Sequence, residues 1–233
     1  MPTPINFPTF NVSDTESNGY QLSVIPFNQG NDLICNLDPN KHKTLSQYNK
    51  RFHGLCDFVC NRILIDNSLG EGKDINYIKN RVTVERVNEE IVKKSHILTV
   101  YSIFHRIIAY LFGIYPDNIF SYSDQRKLID NTGFVNSQLL HHGLDTITEG
   151  ETLKLEVFSR GCLSLEGHSM LIKKMANDKY IFFDPNVGEY RDVSFDELIN
   201  RINTQIHFLQ GTDIFLMRGK DYLKRLQGKI GRV

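Results

Sequence analysis

A histidine and an aspartate flank one turn signal. Gly167-His168-Ser169-Met170-Leu171-Ile172 and Tyr180-Ile181-Phe182-Phe183-Asp184-Pro185-Asn186 are apolar runs separated by Ala176-Asn177-Asp178-Lys179, the pattern of a β-hairpin. A turn centred near Ala176 sets His168 opposite Asp184. The two side chains then lie about 5 Å apart on one face, where a carboxylate can orient an imidazole. A turn centred on Asn177–Asp178 moves the partner to about Val187. The first register supplies half of a catalytic triad and calls for a nucleophile upstream.

Serine, threonine and cysteine are the residues that such a pair activates. No serine sits in a strand–Gly-x-Ser-x-Gly–helix context. Cys56 lies in Gly54-Leu55-Cys56-Asp57, where a helical pattern begins. A thiol at a helix N-terminus feels the positive end of the macrodipole and the unpaired backbone N–H groups, and both favour the thiolate. Gly54 is expected to turn the backbone tightly into the helix, and the Cys56 N–H to face an oxyanion. Among the other cysteines, Cys60 falls one turn into the helix and reads as buried. Cys162 follows a loop signal at Ser159-Arg160-Gly161, and Cys35 lies in a short apolar run that looks like core. Taken singly, a helix-start cysteine or a strand histidine is most simply a packed core residue. Their occurrence with an aspartate across a hairpin favours catalysis.

These residues need helices to present the cysteine and a sheet to present the histidine and aspartate. Leu55, Val59 and Ile63 recur every four residues, with Phe58 beside them, and predict a helix ending at Asp66–Asn67. Helical patterns follow over Ile75–Lys94, Ile97–Gly113 and about Ser123–Asp130, with Asp130-Asn131-Thr132-Gly133 as a stop. Past residue 150 the pattern alternates. Leu153–Phe158 reads as a half-buried strand, Ser194 and Glu197 form a capping box for a helix to about Ile206, and Asp213–Arg218 is one more strand. Helices first and an antiparallel sheet afterwards predict an α+β fold. The domain reading is a loosely ordered segment over 1–31, a catalytic domain over 32–218 and a basic tail over 219–233.

Composition narrows the function classes. The chain has 233 residues, 40% of them apolar, and no net formal charge. That suits one medium domain and, with no basic block interleaved with aromatics, argues against nucleic acid as a partner. No window is apolar enough for a transmembrane segment, and the start (Met1-Pro2-Thr3-Pro4-Ile5-Asn6) lacks the pattern of a Sec signal peptide. Four cysteines without CxxC spacing suggest neither zinc nor a disulfide framework, and no metal or other cofactor is called for. His141-His142 lacks accompanying carboxylates and reads as a surface loop. The C-terminal lysines and arginines offer charge for weak contact with an acidic lipid surface, although a solvated tail is the simpler reading.

The order Cys56, His168, Asp184, with Gly-x-Cys on a helix, Gly-His-x-Met-x-Ile, and Phe-Phe-Asp-Pro-Asn-x-Gly-Glu over 182–189, resembles the YopT/AvrPphB-type cysteine proteases of bacterial effectors, within the papain-like superfamily. The resemblance spans about residues 50–218. It implies a papain-like fold, with an N-terminal helical subdomain carrying the cysteine helix packed on a C-terminal antiparallel sheet. It also implies Cys56 as nucleophile, His168 as general base and acid, and Asp184 as the group orienting the imidazole. An Asn or Gln shortly before the cysteine is expected to complete the oxyanion hole, and Asn49 is the candidate. By the same resemblance the protein is a bacterial effector, secreted without a Sec signal. It acts in the host cytoplasm on a host protein, a small GTPase or a kinase being examples. The same triad can instead serve a glutamine deamidase or transglutaminase, and a papain-like fold can also persist as a non-catalytic binding module.

Overall fold

The computed structural model describes residues 24–52, 54–71, 78, 128–159 and 167–230. All but Ile78 of the helix expected over Ile75–Lys94, the helix expected over Ile97–Gly113, most of that over Ser123–Asp130, and Cys162 lie outside these residues. What is described is an α+β fold around a six-stranded antiparallel sheet. In chain order come β1 (Val24–Pro26), a helical turn (Gln29–Leu33), α1 (Lys43–Phe52), α2 (Cys56–Asp66), α3 (Ser137–Asp145), β2 (Thr152–Ser159), β3 (Gly167–Lys174), β4 (Tyr180–Asp184), β5 (Gly188–Val193), α4 (Phe195–Leu209), β6 (Gly211–Arg218) and α5 (Gly219–Ile230). The strands lie in the order β1-β5-β4-β3-β2-β6.

Helices cover both faces of the sheet, so its central strands are buried throughout, as the unbroken burial of Tyr180–Asp184 shows. On one face Leu55, Phe58, Val59 and Ile63 of α2 pack with Phe27, Leu171, Ile181 and Phe183. On the other, Leu140 and Leu144 of α3 and Leu198 and Ile202 of α4 pack on Leu153, Leu155, Met170 and Ile172. Each fully buried apolar side chain contributes roughly 1.5–3 kcal/mol. The four-residue spacing of α2 is thus what docks the helix on the sheet. Asn67, in the left-handed region at φ 46°, ends it, with its N–H bonded to the Ile63 and Leu64 carbonyls. Ser194 caps α4 as expected, its Oγ accepting from the Glu197 N–H at 3.3 Å.

Several expectations are corrected. Residues 24–31 belong to the fold and not to a loose segment. β1 pairs with β5 from Val24↔Tyr190 to Pro26↔Gly188, and Phe27 and Gln29 are buried. The apolar run Val24–Phe27 is short and sits among polar residues, and only pairing with β5 makes it a strand. Of the basic tail, residues 219–230 form α5, anchored by buried Tyr222, with Lys220 paired to Glu151. His141 and His142 lie on α3, capped by Asn136, and exposed His141 pairs with Asp145 at 3.0 Å. Cys35 is exposed and not core. α1 and β5 carried no signal strong enough to predict.

Neither hairpin register predicted from the sequence is the one adopted. Leu171 faces Phe183 and Ile172 faces Phe182, which sets His168 level with Asn186, beyond the end of β4. The turn does sit at Asn177–Asp178, both at positive φ (57° and 52°), with the Lys179 N–H on the Ala176 carbonyl. The Met175 N–H, however, bonds the Lys179 carbonyl at 2.8 Å, so Ala176 is an extra residue on the first strand. That residue shifts the pairing by one from the Val187 register and restores the parity that keeps His168 and Asp184 on one face.

Candidate active site

Asp184 reaches His168 diagonally across the hairpin. The His168 ring nitrogen Nε2 lies 2.7 Å from Asp184 Oδ1, and both side chains are buried. Diagonal neighbours on one sheet face lie about 7–8 Å apart at the backbone, a gap that an imidazole and a carboxylate span together. The Asn186 N–H also donates to Asp184 Oδ1, at 2.8 Å, and holds the carboxylate at the end of its strand.

α2 brings the thiol. Cys56 is its first residue, half-buried, and no side chain caps the helix start. The Cys56 Sγ lies 3.9 Å from the Gly167 carbonyl, and buried Cys60 donates from Sγ to the Ser169 carbonyl at 3.2 Å. One helical turn from Cys56 to Cys60 thus matches two strand residues from Gly167 to Ser169, each a rise of about 6 Å. The helix N-terminus therefore stands over the beginning of β3, beside His168. The Cys56 side chain is close enough to His168 to favour its charged form, alongside Asp184. With Nε2 taken by the carboxylate, Nδ1 is the ring nitrogen left for another partner.

The electrostatics favour a charged ring. Burial is the largest single influence on His168 and opposes the imidazolium, but the Asp184 charge and hydrogen bond, with the Cys56 side chain, outweigh it. The pKa is pushed up to about 10. Cys60 behaves oppositely, since burial pushes its thiol well up and keeps it protonated.

The two amides expected and found near the helix start differ. Asn49 lies on α1 and, among the described residues, makes no hydrogen bond to Cys56, His168 or Asp184. The amide that touches the segment before Cys56 belongs to Gln29, whose Oε1 accepts from the Leu55 N–H at 2.7 Å. Gly54 has no positive φ, and a Cβ there would meet Gln29 Oε1 at 3.7 Å, an ordinary contact, so the backbone does not demand glycine as expected. Gly188, in the Phe-Phe-Asp-Pro-Asn-x-Gly-Glu stretch, does demand it. Its φ is +134°, and a Cβ would lie 2.2 Å from the Ile25 carbonyl, because β1 crosses there.

Beneath α2 lies a second polar group that the sequence did not reveal. Lys154 is fully buried, its Nζ bonded to Asp57 and lying 3.0 Å from both Glu156 Oε1 and Asn61 Oδ1, with the Tyr222 ring 4.1 Å away. Alternation in Leu153-Lys154-Leu155-Glu156-Val157 suggests a solvent face for Lys154 and Glu156. Only the docking of α2 and α5 on that face turns it inward. Among the described residues no group of three or more His, Cys, Asp or Glu side chains is arranged to hold a metal ion.

No protein-family model matches the chain, and no curated protein is significantly similar to it. Among the solved structures that match the chain are two bacterial proteins. One is the Pseudomonas avirulence protein AvrPphB, at a TM-score of 0.41 and 15% identity, covering 70% of this chain and 90% of that one. The other is PatoxP, a cysteine protease-like domain of the Photorhabdus asymbiotica toxin PaTox, at a TM-score of 0.26 and 20% identity, covering 42% of this chain and 34% of that one. Both likenesses are distant, so the chemistry rests on the side chains of this chain. None of its described helices is long and apolar enough to cross a membrane.

Proposed function

We propose that the chain is a thiol hydrolase of the cysteine-protease kind, with Cys56 as nucleophile, His168 as proton carrier and Asp184 as the group that orients the imidazole. The observation that carries this reading is the buried imidazole held at Nε2 by Asp184, with the helix-start Cys56 thiol 3.9 Å from the carbonyl of the adjoining Gly167. Asp184 holds Nε2, which leaves Nδ1 to take the thiol proton. The raised pKa of His168 keeps its imidazole protonated.

The sulfur then attacks the scissile carbonyl carbon, and the carbonyl electron pair moves to oxygen. The Cys56 N–H, outside the helix's own hydrogen-bond ladder, is placed to receive that oxyanion. Nδ1–H protonates the leaving amine as the C–N bond breaks, which leaves an acyl-enzyme. Water attacks next, passing its proton to His168; the C–S bond breaks and the acid leaves. The motif resemblance to YopT/AvrPphB-type effectors supports a host protein as substrate and delivery into a eukaryotic cell.

The test has two stages. Iodoacetamide labelling of the folded chain, resolved by peptide mass spectrometry, should modify Cys56 on the acid side of neutrality, and His168→Ala should abolish that reactivity. An unlabelled Cys56 in the folded protein would refute the hydrolase reading. Incubation with a eukaryotic lysate should then generate new protein N-termini that Cys56→Ala does not. Conversion of glutamine to glutamate without new termini would move the same acyl chemistry to deamidation.

A further inference from the structure

The two halves of the site come from segments distant in sequence, and a third segment joins them. Gln29 opens the helical turn after β1 and is 2% exposed. Its backbone N–H donates to the Pro185 carbonyl at 2.7 Å. Its side chain works in two directions. Oε1 accepts from the Leu55 N–H, immediately before Cys56, and Nε2 donates to Asn186 Oδ1 at 2.6 Å. The amide's orientation follows from chemistry, because a backbone N–H can only donate and so must face the oxygen. Asn28 reinforces the clasp, its Nδ2 donating to the Asn186 carbonyl at 2.7 Å.

These contacts close a ring. Cys56 is bonded through its peptide to Leu55, and Leu55 hydrogen-bonds Gln29. Gln29 bonds Asn186, whose N–H holds Asp184 Oδ1. The same oxygen holds His168, and the carbonyl of the adjoining Gly167 lies 3.9 Å from Cys56 Sγ. The ring passes through the side chain of a single amide where it crosses from the helix side of the site to the hairpin side. We propose that Gln29 is a positioning residue of this site. It sets the separation between the Cys56 thiol and the His168–Asp184 pair by clasping the loop before α2 to the loop after β4. This rests on the thiol-hydrolase reading above.

A misplacement of about 1 Å in such a constellation costs on the order of 100-fold in rate. An amide that merely filled the core would instead alter melting temperature and leave the pH profile of the thiol unmoved. The experiment is therefore the pH profile of iodoacetamide alkylation at Cys56, read by peptide mass spectrometry on the full chain, with folding followed by circular dichroism. Gln29→Leu should lower the acid-side alkylation rate about tenfold or more while the protein stays folded. Asn186→Ala cuts the same link at a half-buried residue and should do likewise. The double variant should lose no more than either single one, since both remove one connection. A wild-type profile in folded Gln29→Leu, or in folded Asn186→Ala should the first variant not fold, overturns the proposal, as does full additivity of the two. A wild-type Cys56 that already titrates like a free thiol, indifferent to His168→Ala, overturns the hydrolase reading itself and this inference with it.

Discussion

Two buried cations lie close to α2, and the contrast between them separates reactivity from support. Lys154 is enclosed by two carboxylates, an amide and an aromatic face. Burial alone would discharge it, but Asp57, Tyr222 and Glu156 hold its pKa well above the ordinary lysine value, and its proton has nowhere useful to go. His168 has one carboxylate, and the Cys56 thiol is near enough to influence its charge. Both ions depend on opposite charge against the cost of burial. On the proposed reading, only the imidazole has a neighbour that can hand it a proton and then attack an electrophile. A buried cation thus becomes chemically useful when one of its partners is a nucleophile instead of a second carboxylate.

Breaking the reactive pair should give the largest effect. His168→Ala is expected to lower hydrolysis of a protein substrate by three or more orders of magnitude, since members of such a unit fail together. Asp184→Asn should cost less than His168→Ala while leaving Cys56 in place. Initial rates of the purified variants check both, and equal rates for wild type and His168→Ala would erase the contrast with Lys154.

Breaking the supporting pair should act on stability. Lys154→Met leaves Asp57 and Glu156 without their shared cation and should destabilise the fold by roughly 3–5 kcal/mol in urea melts. Adding Asp57→Asn and Glu156→Gln should recover part of that loss. A variant as stable as wild type would mean that the cluster adds nothing to the docking of α2.

The two cations should also differ with pH. The folded pKa of His168, about 10, lies above its usual 6.5, so its contribution to stability is complete below pH 6.5 and is lost as pH rises toward 10. Asp184→Asn should flatten that part of the stability profile measured by denaturant melts, whereas Lys154→Met should leave its slope in place. The smallest expected effect lies far from either cation. Ser194→Ala removes the cap of α4 and should cost about 1 kcal/mol of stability with unchanged Cys56 reactivity.

Legibility in the sequence followed the range of the interaction. The start and end of α2 were readable from a four-residue apolar period and a terminal Asn, the α4 cap from Ser194 and Glu197, and β2, β3, β4 and β6 from alternation or apolar runs. The hairpin register was not, because a single unmatched residue at Ala176 decides it, and its effect is felt only through the pairing of the whole strand. β1 and Gln29 were unreadable for a related reason. Their stretch is a short apolar run followed by polar residues without periodicity, and it is held by partners more than 150 positions away. Lys154 and Glu156 alternated as a solvent face should, and only two helices from opposite ends of the chain bury them.

The chain by itself determined which residues could react and which local elements carry them. Cys56 opens a helix, and His168 and Asp184 stand on strands either side of one turn, because capping, periodicity and turn chemistry act over a few residues. The tertiary structure decided how those elements meet: the diagonal reach of Asp184, the approach of the α2 N-terminus to β3, and the Gln29 clasp between the two sides. Those are distances between segments far apart in sequence, set by the packing of two buried sheet faces and by hydrogen bonds that no local pattern encodes.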